Sequence, residues 1–455
     1  MRASAVAEAA GVPSVSLVCE GFKNQAAATG RGAGFIGLPL GVLNGHVDAQ
    51  SHDEMITHLR ASTIEAIIEG LTQSPQDGDV LVAEPEPFDV VASGSIDNIN
   101  AAFVERGWTD GLPVVPPTRA RVSALLEAGG IEPSMEIGIA RPAGRRITAW
   151  SIAVNAVMTG CEARHLPVLL ALAEIIADHA YGVEHSGNTT GADALIVVNG
   201  SSMAELGFNA GQGALREGAH ANTSVARWLR LYLRNVCGFT AEEHDKATFG
   251  NSMRMVLAED EETLADINWP PLSAEFGFNP GDDVVTMARM NSGLIIGGVY
   301  GATAEDLIPY LADGLVRVSG WDLCHIYELG QGHFRPLLIL SPLLARNFAR
   351  SGWSKAEVKQ ALFEKARMPA RKFEQLVGDW TNIDAERRTL FELAKAGTIP
   401  PVFGESDDPG RLVPIVTEPS KFILAVAGDP NRNNAYVMSN DGPHGDWTAK
   451  AVRVG

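Results

Sequence analysis

Cysteine is scarce in this chain: four residues, at positions 19, 161, 237 and 324, in a length of 455. That excludes a disulfide-stapled scaffold and fits a reducing compartment. Basic residues are outnumbered, 36 Lys and Arg against 55 Asp and Glu, which leaves a formal net charge of -19. Nucleic acid and anionic membrane surfaces both require basic patches, so neither is an expected partner. Aromatics make up only 7% while glycine numbers 47, a balance that favours α/β layers over an aromatic-rich β-sandwich. Long apolar runs are missing. The stretch Leu166–Ile176 is interrupted by Pro167 and Glu174 and falls short of the roughly 20 residues that a spanning helix needs. Met1–Gly11 lacks the apolar core, roughly 7–15 residues long, of a secretory signal. The expectation is a soluble cytoplasmic protein.

What is present is an ordinary globular composition, 45% apolar and 20% charged, in a chain too long for one small core. Arg2–Ala10 reads as a helix, Pro13–Cys19 as a β-branched strand, Glu20–Thr29 as a helix and Gly34–Leu43 as a second strand. Ser51 caps a long helix with Asp53 and Glu54 in its first turn. Strand–helix–strand order implies a parallel sheet with a right-handed crossover. A chain opening on a helix offers that sheet no first strand, so either the sheet is short, or the strand is expected upstream of Met1 or from a partner chain. Residues 74–95, with Pro75, Pro85 and Pro87 among acidic side chains, read as a linker, with Val80–Ala83 as a possible edge strand. The expected architecture is α/β: a small parallel-sheet module over 1–73, the linker, and a larger mixed α/β domain over 96–455. Strand-like runs in that domain fall at Ala194–Val198, Asp283–Met290, Gly293–Val299, Pro336–Leu340, Arg411–Val416 and Phe422–Val426.

The N-terminal segments RASAVAEAAGVPSVSLV, GFKNQAA and NGHVDAQSHDEM resemble a bacterial family named for its UGSC motif, a selenocysteine or cysteine in a short loop before a helix. The motif itself would lie upstream of Met1, so the family's thiol or selenol maps onto no residue here. From about residue 97 onward the chain resembles the partner domain often fused to such modules, through GWTDGLPVVPPT at 107–118, AVNAVMTGCEARHLPVLLAL at 153–172, ALIVVNG at 194–200 and the segment 208–236. The resemblance implies thiol redox chemistry.

Read from the residues themselves, several clusters carry chemistry. Cys161 follows Gly160 and opens a helix beside Arg164 and His165, a setting that lowers a thiol pKa. The loop around Trp108 and Asp110 is Gly/Pro-rigid and suited to presenting side chains. His185 sits in a polar glycine-flanked loop before a strand and suits acid–base work near neutral pH. Asn209, Gly211, Gln212 and Gly213, with Asn222 and Thr223 before a helix, read as an anion cradle to which Arg216 and Arg227 add charge. Asp429 and Arg432 lie in a late loop that can close over a site. Cys324, His325, Glu328 and His333 are metal-capable types, but adjacent Cys324 and His325 point apart, so no metal is expected. Glu259, Asp260, Glu261 and Glu262 read as a solvated acidic face. No nucleotide or flavin fingerprint occurs, and the cofactor stays unassigned.

Three functions fit these readings. In the first, a thiol-dependent redox or group-transfer enzyme binds a small anionic substrate between its two domains. Cys161 is then the nucleophile, His185 or His165 moves protons, and Asp110 orients. In the second, a lyase or hydratase uses His185 and Asp110 while Cys161 is structural. In the third, the chain is a non-catalytic subunit whose partner carries the thiol motif, which makes a homo- or hetero-oligomer the expected state.

Overall fold

The computed structural model describes residues 1–72, 76–77, 88–241, 243–251, 255–327, 334–377, 389–440 and 446–453. The chain divides into two compact units, Met1–Met158 with Gly187–Thr189 and Leu229–Ala247, and Thr159–Ser186 with Thr190–Trp228 and Thr248–Gly455. The fold is α/β, as composition and the alternating pattern predict. Among the described residues, no helix is long and apolar enough to cross a membrane.

In the first unit, helix Arg2–Ala9 leads to strand β1 (Ser16–Cys19), and helix Lys23–Gly32 to β2 (Phe35–Gly37) and β3 (Leu40–Leu43). The single strand expected over 34–43 is therefore broken. Pro39, at the break, has no N–H to give a ladder. β1 and β3 pair in parallel, Ser16 opposite Leu40, as the crossover rule predicts. β2 pairs antiparallel with the two-residue β4 (Gln76–Asp77).

Ser51 forms the expected cap: its Oγ accepts from the Glu54 N–H at 3.4 Å, and Glu54 Oε2 accepts from the Ser51 N–H at 2.8 Å. The long helix is not continuous, for a π turn at Leu59–Thr63 joins His52–His58 to Ile64–Thr72. Buried Thr63 in that turn donates to the Val42 carbonyl at 2.8 Å, fixing the helix on β3. A Cβ on Gly41 would come within 2.9 Å of Ile67 Cγ1, so glycine lets helix and strand touch. The unit also holds an antiparallel hairpin, β5 (Glu136–Ala140) and β6 (Arg145–Thr148), which is absent from the expected strands although Met135, Ile137 and Ile139 alternate. Most of the expected linker, including Val80–Ala83, lies outside the described residues.

The second unit is built on one mixed sheet of β7 (Asp193–Asn199), β8 (Met255–Ala258), β9 (Val284–Ile296), β10 (Leu337–Leu340), β13 (Ile423–Val426), β14 (Ala435–Asn440) and β15 (Thr448–Ala451). The small pair β11 (Arg367–Pro369) and β12 (Leu412–Pro414) stands apart from it. The path runs β13-β10-β14-β9-β7-β8, with β15 also on β9. β7–β8 and β10–β13 are parallel, and the remaining pairs antiparallel. The runs expected at Asp283–Met290 and Gly293–Val299 are one strand, β9, whose Val284–Met290 half is buried at every position.

Side chains alternate across this sheet. Leu195, Leu257, Met290, Ile339, Ala425 and Met438 turn to one core. Leu338, Leu340, Leu424, Val426 and Val437 turn to the other, where Leu311, Leu344 and Val358 of three helices cover them. Each fully buried Leu or Phe there is worth about 1.5–3 kcal/mol.

β8 and β13 stand at opposite ends of the strand path, yet the Asp260 N–H donates to the Val426 carbonyl at 2.7 Å. The sheet therefore curls until its edges meet. Glu259 secures the meeting. Its Oε1 takes Lys355 Nζ at 3.3 Å and the Val426 N–H at 3.1 Å, and its Oε2 takes Asn199 Nδ2 at 2.7 Å and the Leu272 N–H at 2.6 Å. The Lys355 ammonium also donates to the Leu424 carbonyl at 3.2 Å. The solvated face expected over 259–262 is thus corrected: Glu259 is fully buried, Asp260 and Glu261 are half-buried, and Glu262 alone is exposed. Glu259→Ala would strand Lys355 in the interior, and such loss costs about 3–5 kcal/mol. Urea unfolding of Glu259→Ala and of Glu259→Ala/Lys355→Met checks this, with the double variant expected to recover part of the loss. A single-variant loss below about 1 kcal/mol, the scale of an exposed pair, would sink the account.

Candidate functional site

The antiparallel ladder of β9 and β14 contains one irregularity. Ser439 pairs with Ser292 and Asn440 with Met290, so Asn291 is an extra residue on β9. The β7 ladder also ends here, at Asp193 opposite Met290. Bulges of this kind turn a side chain out of its normal alternation and recur beside active sites. The Asn291 amide lies between two partners: its Nδ2 donates to Asp322 Oδ1, and its Oδ1 accepts from Thr190 Oγ1 at 3.0 Å. Ser439 Oγ donates to the other Asp322 oxygen at 2.8 Å. Asp322 is buried, at 4% exposure, and Thr190 is exposed. The result is a hydrogen-bonded chain from the surface to a buried carboxylate.

Two residues before Asn291, the buried Arg289 donates through Nη1 to the carbonyls of Tyr181 and Gly182 at 3.0 and 3.3 Å. Its guanidinium lies 4.9 Å from the centre of the Tyr181 ring. Burial pushes the Tyr181 phenol above its ordinary range, and the Arg289 charge opposes that shift. Gly182 takes φ 60°, the left-handed turn that starts the short helix Val183–His185. His185, half-buried, ends that helix, and its N–H donates to the Gly182 carbonyl at 3.0 Å. The segment carrying His185 is thereby tied to β9 at both ends, by Arg289 before it and Asn291 after it.

The other sequence candidates lie elsewhere. Cys161 is buried, and its Sγ is 3.5 Å from Thr159 Oγ1. Burial pushes its thiol up to about 12, the reverse of the activation expected from a helix start, because desolvation opposes the thiolate. The turn it precedes, Ala163–His165, runs directly into the helix Leu166–Ala177, but the desolvation of the buried thiol outweighs the dipole of that helix. Burial also raises the Cys237 thiol. His165 is fully buried: Nδ1 accepts from the Glu162 N–H at 3.1 Å, so Nε2 carries the proton it gives the Leu206 carbonyl at 3.1 Å. Burial holds its pKa below the ordinary histidine range. It is a neutral brace between two loops.

The expected anion cradle is tied into itself. The Asn209 N–H donates to Asn222 Oδ1 at 2.8 Å, the Gly211 N–H to Asn209 Oδ1 at 3.0 Å, and the Gly218 N–H to Thr223 Oγ1 at 3.1 Å. Asn209 Nδ2 takes the Gln212 carbonyl at 3.0 Å, and the Arg216 N–H takes that of Gly213 at 2.8 Å. The Arg216 side chain is exposed and Arg227 half-buried. The late loop does approach this segment, through a 2.8 Å bond from the Gly428 N–H to the Ala210 carbonyl. Within that loop Asp429 accepts from the Asn431 N–H at 2.8 Å, with Arg432 4.0 Å from its carboxylate.

Trp108 and Asp110 belong to the first unit. There Trp108 packs edge-on against Phe103 at 5.4 Å with the Arg106 guanidinium 4.9 Å from its ring. Asp110 Oδ1 accepts from the Leu112 N–H at 3.4 Å, a turn-capping contact. Cys324 is buried, while the side chain of His325 and the whole of Glu328 and His333 lie outside the described residues. Among the described residues no cluster of three or more His, Cys, Asp or Glu could hold a metal.

Arg289, Asn291 and Ser439 escaped the sequence reading, since Arg289 looks like one polar residue in an apolar strand and the other two like polar strand ends. The break between the two runs assigned around Asn291 was the one available signal. An α/β protein with a polar site at a sheet bulge is the class these features define. The profile of the UGSC family matches residues 1–73, so this N-terminal segment is similar to that family. No curated protein and no solved structure is significantly similar to the chain.

Two outcomes are expected. Cys161 in the folded protein should react with iodoacetamide at pH 8 at least about a hundredfold more slowly than an unperturbed thiol, whose pKa is about 8.5. Peptide mapping after labelling reads this, and early labelling of Cys161 would contradict the burial account. For His165, the lowered folded-state pKa means the unfolded chain binds the proton more readily. Its contribution is therefore present above the unfolded value, about 6.5, and lost as pH falls through the folded one. The unfolding free energy of the wild type should drop more than that of His165→Gln between pH 7.5 and pH 5. Parallel losses would refute it.

Proposed function

We propose that the chain is an enzyme of redox-independent acid–base chemistry, of the lyase or hydratase type, acting on a small polar metabolite at the β9 bulge. The observation that carries the reading is the buried Asp322 carboxylate, held by Asn291 and Ser439 where the sheet opens. A carboxylate held by such donors is a candidate to take a proton from a substrate while they keep it in place. His185, on the segment tied down by Arg289 and Asn291, is the candidate partner that returns a proton to a leaving or adding group. The thiol-dependent alternative has less support, since burial keeps Cys161 protonated at neutral pH.

The test is a survey of small hydroxy acids for formation of the unsaturated acid, followed by ultraviolet absorbance. With any substrate found, Asp322→Asn is expected to lower kcat by at least about a hundredfold, the scale of a general acid or base. Cys161→Ser should retain most of the activity. Abolition by Cys161→Ser, or full activity in Asp322→Asn, would reverse the assignment in favour of the thiol.

A further inference from the structure

A second polar region of the same unit is lined by residues other than those of the bulge. Glu275, Arg335, Lys359, Ser420, Lys421 and Asp446 line a cavity of about 400 Å³, within the range of small-molecule sites. They come from five separate places in the chain: the short helices Leu272–Phe276 and Pro419–Lys421, the helix Lys355–Lys365, and the residues just before β10 and β15. Three side chains are cationic and two anionic, so the lining carries an excess of one positive charge in a chain whose net charge is -19.

The ion pairs inside the cavity leave the cations incompletely engaged. Lys359 Nζ is 2.6 Å from Glu275 Oε1, a close pair. Arg335, by contrast, stands 3.6 Å from Glu275 and 3.5 Å from Asp446, well beyond the roughly 2.7–2.9 Å of a charge-assisted hydrogen bond. The Lys421 ammonium is 3.9 Å from exposed Glu418, and Ser420 also lines the cavity. Burial, opposed by Glu275, holds the Lys359 amine below the ordinary lysine range, with the charges of Lys355 and Arg335 acting in the same direction as burial.

Arg335 is nonetheless positioned with care. Its N–H donates to Asn440 Oδ1 at 2.7 Å, its carbonyl accepts from Trp447 Nε1 at 3.1 Å, and its guanidinium sits 5.5 Å from the centre of the Phe276 ring. A purely structural ion-pair network closes the space between its members. Here a fixed, loosely paired guanidinium and two lysines surround an opening of ligand size.

We propose that this cavity binds a small molecule through an oxyanion group, carboxylate or phosphate, gripped by Arg335, Lys359 and Lys421. The guanidinium fork supplies paired donors and the two ammonium groups supply charge. The proposal is independent of the acid–base reading, for none of these residues belongs to the bulge.

Calorimetric titration of the full chain with inorganic phosphate and, separately, with succinate tests it. Saturable one-site binding of at least one probe is expected, weakened tenfold or more by Lys421→Gln and by Lys359→Met, with the thermal midpoint of Lys421→Gln unchanged. Because Lys421 is at the rim, its variant keeps the test open even if Lys359→Met unfolds. Preference for phosphate assigns a phosphoryl group and preference for succinate a carboxylate, either in support. No saturable binding of either probe, or binding unaltered by Lys421→Gln, would overturn the proposal.

Discussion

A single buried carboxylate closes the larger unit. Glu259 receives donors from β7, from the end of β13, from the start of the short helix Leu272–Phe276 and from Lys355 on a covering helix. Without that convergence, the two edge strands of a curled sheet would each present unpaired backbone groups. A buried ion pair is weak evidence for stability as such, because desolvation offsets its attraction. Its effect here is geometric: a carboxylate with four donors on two oxygens accepts one arrangement of its neighbours, and that arrangement holds the sheet curled. Asn199 also donates to Glu261, and burial raises the carboxyl of Glu261, so the whole end of the sheet is electrostatically coupled.

With the edges closed, the sheet's one local irregularity becomes its chemically open point. β9 is buried along its first half and half-exposed over Asn291–Ser292, where it parts from β7 and bulges against β14. Polar side chains collect there: Asn291 and Ser439 bond Asp322, and Arg289 bonds the carbonyls of Tyr181 and Gly182. The cavity lined by Arg335 and Lys359 is joined to the same strand end through Asn440, adjacent to Ser439.

The UGSC-like module and the chemistry of the second unit are separate questions. The match covers residues 1–73. In the second unit burial pushes the Cys161 thiol toward the protonated state, and in the first it does the same to Cys237.

From the sequence alone came the α/β class, the parallel β1–β3 pair, the Ser51 cap and the first two helices. All of these follow from local periodicity or from one residue meeting its near neighbours. His185 was legible because a histidine in a glycine-flanked loop is conspicuous. Arg289, Asn291 and Ser439 were not, since only register tells which of them meet. Cys161 and Glu259 show the limit most plainly. Local context predicts an activated thiol and a solvated acid, whereas packing makes one an inert buried thiol and the other a buried anchor. Charge state and burial depend on what arrives from distant parts of the chain, and that is decided only when the sheet closes.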